Sequence, residues 1–214
     1  MVKLREKTNS ALTLIPKIPD NINLLIIINT ILSKFERRRT LRETWAKQAS
    51  FPIAANSTPS KSNSTINIAY FFMMAFHGSS LDKDLEKESA VHGDILRVNL
   101  RESYRGMVNK ILLTFEWVTT LNVKPDFIAK ADDDVYVKLL DLAIWLQKNA
   151  HLSENLYTGF VQTDFLAVVR THGDRWFVSR EEYEDDYFPP YCLGPFYIFS
   201  RDVFLGVVMV SHIM

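Results

Sequence analysis

Phe127-Ile-Ala-Lys-Ala-Asp-Asp-Asp-Val-Tyr-Val137 sets three consecutive carboxylates between two apolar runs. Two like charges about 4 Å apart repel by roughly 1 kcal/mol in water and roughly 4 kcal/mol at an effective dielectric near 20. A bare triplet beside a core is therefore disfavoured unless the acids cap a helix, reach solvent in a turn, or share a cation. In an extended segment side chains alternate, so Asp132 and Asp134 are expected to point one way and Asp133 the other. That D-x-D pair suits a hard divalent cation, Mn2+ or Mg2+, of the kind held by one or two carboxylates plus substrate phosphates. The competing explanation is a solvated turn.

The position of the triplet in the surrounding pattern favours the cation without settling the choice. Residues 126–131 read as a strand that delivers the triplet at its end, and 138–148 as a helix. Upstream, 103–121 reads as a long helix whose core stripe is Met107, Ile111, Phe115 and Val118, with Pro125 just beyond it. Working back, the pattern predicts a strand at 94–98, a helix at 81–90 and a strand at 66–73. It also predicts an exposed loop over 51–65, a helix over 36–48 and a buried strand at 23–29. Strand and helix alternating at this spacing predicts an α/β domain with a mostly parallel sheet, in which ligands gather at the carboxyl ends of strands. Residues 1–22 read as a loose, proline-punctuated lead-in to a domain over 23–214. After residue 150 short strands are expected at 155–160, 165–170, 175–179 and 194–200.

Composition narrows the function. The chain has 214 residues, 47% hydrophobic and 23% charged, and its 25 Lys plus Arg balance 25 Asp plus Glu. This is globular composition with no basic excess to suggest nucleic acid or an anionic membrane as main partner. The longest apolar run, Leu24-Leu-Ile-Ile-Ile28, is far short of the roughly 20 residues that span a bilayer, and no secretory signal follows Met1. The single cysteine, Cys192, excludes an intrachain disulfide and a cysteine-built metal site. Asn56-Ser-Thr58 and Asn63-Ser-Thr65 match the glycosylation acceptor pattern.

Several blocks together resemble the β-1,3-galactosyltransferase and β-1,3-N-acetylglucosaminyltransferase family, glycosyltransferase family 31. Phe35-Glu-Arg-Arg-Arg-Thr-Leu-Arg-Glu-Thr-Trp45 is similar to that family's first-helix block. His92-Gly-Asp-Ile-Leu96, followed by Glu102-Ser-Tyr-Arg105 and Lys110, is similar to its H-G-D-I-L block. Phe127–Val137 resembles the D-D-D-V-[FY]-V motif, and Tyr187-Phe-Pro-Pro-Tyr-Cys-Leu-Gly-Pro-Phe-Tyr-Ile-Phe-Ser200 the Y-P-P-Y-C-x-G block, with Phe188 at its first Tyr and Phe196 at a small-residue position.

The resemblance implies a GT-A fold and inverting transfer of galactose or N-acetylglucosamine from UDP-galactose or UDP-N-acetylglucosamine. The product would be a β-1,3 link on a glycan of a glycoprotein or glycolipid, and Mn2+ would sit on Asp132 and Asp134. Asp133 is expected at the donor's ribose or sugar. Arg38 and Arg42, four apart on one helical face, are expected to approach the nucleotide, with a solvated helix face as the alternative. Lys110 is expected either at phosphate or in a structural role, and Trp176 and Tyr191 either as stacking surfaces for the acceptor or as packing. Family members are usually Golgi membrane proteins facing the lumen. The membrane anchor and the E-D-V segment that carries the family's catalytic base are not found in these residues, so the chain reads as an incomplete member. Glu184-Asp-Asp186 stands at the wrong place for that base. A catalytically inactive nucleotide-sugar-binding protein is therefore a second expectation, and a D-x-D phosphohydrolase a third.

Overall fold

The computed structural model describes residues 12–50, 53–54, 65–78, 80–149 and 153–211. Both glycosylation acceptor asparagines, Asn56 and Asn63, lie outside them. Its strands are β1 (Leu12–Leu14), β2 (Leu24–Asn29), β3 (Ile53–Ala54), β4 (Thr65–Ile66), β5 (Ile68–Phe76), β6 (Ile95–Arg101), β7 (Phe127–Asp132), β8 (Tyr157–Gln162) and β9 (Tyr191–Ser200). The helices are α1 (Phe35–Glu43), α2 (Leu81–His92), α3 (Met107–Thr120), α4 (Leu139–Lys148) and α5 (Arg201–Ser211), with a 3-10 stretch at Trp45–Ser50 after α1.

A seven-stranded sheet runs in the order β1-β6-β5-β2-β7-β9-β8, and β3 and β4 form a separate antiparallel pair. The four central strands, β6, β5, β2 and β7, are mutually parallel. Their continuous apolar runs are what a strand covered on both faces requires. In β2, Leu24, Ile26 and Ile28 join a cluster with Leu41, Trp45 and Leu139, on the face of α1, α2 and α4. Leu25 and Ile27 point the other way, toward Phe115, Phe204 and Val208 of α3 and α5. Period-2 alternation thus splits one strand between two cores and produces three layers, helix on sheet on helix. Each such aliphatic side chain contributes roughly 1.5–3 kcal/mol by leaving water.

The expected α/β sheet with a parallel core is present, and β1, β9 and β8 add antiparallel pairs at its margins. Two expectations need correction. The lead-in is not loose from Leu12 onward, because β1 pairs antiparallel with β6 and both Leu12 and Ile22 are buried. The strands expected at 165–170 and 175–179 are a loop with one isolated bridge, Ala167 to Tyr187. Arg170 organises that loop: its guanidinium donates to the carbonyls of Val178, Tyr183 and Asp185 at 2.8, 2.8 and 2.6 Å. Those acceptors are satisfied without a strand partner.

Candidate active site

The parallel strands β2 and β7 end side by side, with Asn29 opposite Asp132 in register. The strand stops at Asp132, and the chain turns there, Val135 N donating to Asp132 O at 3.3 Å. Trp45 Nε1 donates to Val135 O at 3.1 Å and so fixes the far side of the turn from the buried 3-10 stretch. Strand alternation therefore does not extend through the triplet, and Asp133 and Asp134 are not on opposite sides. Arg37 Nη1 reaches both, at 2.7 Å from Asp133 Oδ1 and 3.3 Å from Asp134 Oδ2.

Each carboxylate has its own surroundings. Asp132 Oδ1 accepts from Lys130 Nζ and, at 3.2 Å, from Asn29 Nδ2. Asp133 Oδ2 accepts from Thr30 Oγ1 at 2.6 Å. The Asp134 side chain is 64% exposed. Beneath them Lys130, 3% exposed, also donates to the carbonyl of Gly194 at 2.6 Å, tying β7 to β9. Burial pushes the Lys130 ammonium below its usual pKa, and the contact with Asp132 offsets part of that shift. The hydrogen bond from Arg37 to Asp133, and then their charge attraction, raise the Arg37 pKa. Burial, followed by the charge on nearby groups including Asp132, raises the Tyr197 phenol.

These groups open into a cleft of about 790 Å³ at the carboxyl ends of the parallel strands, the place where α/β sheets hold ligands. Asp132, Asp133 and Asp134 line it together with Lys110 and Trp176. Lys110 Nζ lies 3.0 and 3.1 Å from the two oxygens of Glu102 and 3.3 Å from Thr30 O. It is thus a buried structural ion pair whose edge faces the cleft. Trp176 is 63% exposed at the mouth, beside Arg175, whose guanidinium lies 4.3 Å from the centre of the Tyr104 ring. Pro195 is shared with an adjoining apolar cavity of about 630 Å³ lined by Val135, Leu142, Trp145, Phe160 and Phe196.

Three expected site residues are elsewhere. Arg38 is 1% exposed and makes a bidentate pair with Glu88, at 2.8 and 2.7 Å, while donating to the carbonyls of Ile31 and Leu32. Arg42 pairs with Asp94 at 2.7 and 2.8 Å and with Glu88 at 2.7 Å. These arginines are not a solvated face and do not line the acidic cleft, because carboxylates from α2 and just before β6 pair with them in the interior. Tyr191 begins β9 opposite Gln162, packs its ring against Phe188, and is outside the cleft lining. Asp186 of the Glu184-Asp-Asp186 run is paired with Arg180, and none of the three lines the cleft.

Arg37, Thr30 and Asn29 are the residues that sequence reasoning passed over. The signal for them was positional: they follow or end a buried strand that runs parallel to β7.

The donor set at the acidic edge is oxygen only: the carboxylates of Asp132 and Asp134, and the buried Asn29 Oδ1, which has no hydrogen-bond partner among the described residues. No group of three or more His, Cys, Asp or Glu side chains converges among those residues. Such an edge fits a hard cation that takes its remaining ligands from substrate oxygens and water.

A parallel-centred, three-layer sheet with an acidic turn at the carboxyl end of a central strand is the arrangement of a GT-A-like glycosyltransferase domain. The chain belongs to the galactosyltransferase family, whose model matches residues 36–214. It is similar to beta-1,3-galactosyltransferase 1 of Mus musculus and of Homo sapiens, each 30% identical over 182 residues, or 84% of this chain and 52% of the relative. Beta-1,3-galactosyltransferase 5 of Pan paniscus is 28% identical over 191 residues, covering 88% of this chain and 58% of its own length. The chain spans about half the length of these relatives.

Proposed function

We propose that this chain acts as a UDP-sugar-dependent hexosyltransferase that moves galactose, or N-acetylglucosamine, with inversion, onto a glycan acceptor of a glycoprotein or glycolipid in β-1,3 linkage. The observation that carries the proposal is the acidic turn Asp132–Asp134 at the edge of a cleft large enough for a nucleotide sugar. The family match and the relatives' names support the transferred galactose and the linkage.

In this reading Asp134 and Asp132 hold Mn2+ or Mg2+. When bound, the cation supplies charge neutralisation for the departing diphosphate. The chain's own residues do the rest. Lys130 and Asn29 fix the Asp132 carboxylate, Thr30 fixes Asp133, and Trp45 fixes the turn, so that the acidic edge is preorganised before substrate arrives. Trp176 and the Tyr104–Arg175 stack offer flat faces at the mouth for a sugar ring. The group that takes the acceptor's proton is not assigned among the described residues. A luminal Golgi location belongs to the same proposal. No helix among the described residues is long and apolar enough to cross a membrane.

The test is calorimetric titration with UDP, with and without Mn2+, followed by transfer assays from both UDP-sugars. Cation-dependent UDP binding and transfer that are lost in Asp134→Ala support the proposal. Transfer that survives both chelation and that substitution overturns it. Cation-dependent binding with no transfer to any sugar acceptor favours the second expectation, a nucleotide-sugar-binding protein.

A further inference from the structure

The three consecutive acids are neutralised by two cations of different character. Lys130 serves Asp132 from the interior, is 3% exposed, and is also locked to Gly194 O. Arg37 serves Asp133 and Asp134 from the first turn of α1, is 44% exposed, and uses a single nitrogen for both. Its two contacts differ as well. The 2.7 Å contact is to an Asp133 that Thr30 also holds and that is only 11% exposed. The 3.3 Å contact is to the exposed Asp134, longer than a charge-assisted hydrogen bond prefers.

We propose that Arg37 is a positioning residue that stays on Asp133 while competing with the divalent cation for Asp134, so that it sets how tightly the acidic edge holds the metal. This rests on the proposed function, in which Asp132 and Asp134 carry the cation. Without the metal, the guanidinium cancels the repulsion between adjacent carboxylates and keeps the turn closed. When the cation binds, the weaker of the two Arg37 contacts yields, and the remaining one keeps Asp133 and the turn in place. The positive charge stays near the cation and opposes it.

The experiment is calorimetric titration of the full chain with Mn2+ alone, comparing wild type, Arg37→Gln and Arg37→Lys, with thermal unfolding of each. Removing a unit positive charge at this range is expected to tighten Mn2+ binding by roughly tenfold in Arg37→Gln. Arg37→Lys keeps the charge and is expected to stay within about twofold of wild type. General damage to the site would weaken binding in both variants, so a tightened Gln variant is not explained by a structural role. Unchanged or weaker Mn2+ binding in a folded Arg37→Gln overturns the proposal and leaves the proposed function standing, provided wild type binds UDP in a cation-dependent way. A wild type that binds Mn2+ neither alone nor together with UDP overturns both.

Discussion

Thr30 Oγ1 donates a 2.6 Å hydrogen bond to Asp133 Oδ2, joining the residue just past β2 to the turn that ends β7. Thr30 is 2% exposed and the Asp133 side chain 11%, so the bond is largely buried at the base of the cleft. Thr30→Val keeps the shape and removes the donor. It is expected to cost about 1–3 kcal/mol of stability, the price of an unpaired buried acceptor, and to loosen the acidic turn. Urea unfolding measures the first effect and cation-dependent UDP binding the second. A variant that matches wild type in both would show that the hydrogen bond positions nothing.

Arg38→Ala tests the reassignment of that arginine from ligand contact to interior ion pair. Removing one partner of a buried pair costs about 3–5 kcal/mol. The lower end is expected here, because Arg42 remains 2.7 Å from Glu88. In protein that still folds at low temperature, UDP affinity should stay within about twofold of wild type. A large loss of UDP binding without loss of stability would return Arg38 to the nucleotide site.

The same pair carries a pH dependence. Burial alone would raise the Glu88 pKa, but the hydrogen bonds and charges of Arg38 and Arg42 outweigh it and hold the carboxyl below its ordinary value. A carboxylate with a lowered folded pKa contributes stability above the unfolded value of about 4.3 and loses it as the pH falls from there through the folded value. Wild-type stability should therefore decline on acidification below about pH 4.5, and Glu88→Gln, although less stable at pH 7, should show a shallower decline. Equal slopes for the two proteins would remove Glu88 from the acid response.

Gly159 of β8 tests the packing behind the cleft. A methyl group added there would lie 2.7 Å from Phe196 O and 3.2 Å from the Tyr197 Cα. Both are backbone atoms of β9, so the strands must separate. Gly159→Ala is expected to destabilise the chain by roughly 1–3 kcal/mol and to disturb the Gly194–Tyr197 side of the cleft. Hydrogen exchange at the β8–β9 amides would detect the separation. Unaltered protection there would contradict the close approach.

Much of this architecture was legible because its signals are local. The run Leu24–Ile28 could only be a strand buried on both faces, and a three-acid cluster at a strand's end demanded either solvent or positive charge. The partners were not legible. Arg38 and Arg42 were read as available for ligand because the sequence displays basic residues but not the carboxylates at Glu88 and Asp94, some 50 residues on, that fold against them. Alternation misplaced Asp133 because it assumed that β7 continued past Asp132. Residues 165–170 and 175–179 read as strands because each carries a short apolar run, whereas one guanidinium, that of Arg170, had taken up carbonyls that a neighbouring strand would otherwise bond.

The short strand β1 has a consequence for solubility. Lying antiparallel on β6, it occupies the backbone donors and acceptors at the end of the central sheet, and Arg97 Nε donates to Thr13 Oγ1 at 2.6 Å to hold it there. An exposed, regular strand edge is a template for pairing with another molecule. A shortened chain beginning at Asn23 would keep every cleft residue yet present β6 as such an edge, with Ile95, Leu96 and Val98 along it. Three residues far from the acidic turn thereby cover the β6 edge of the sheet.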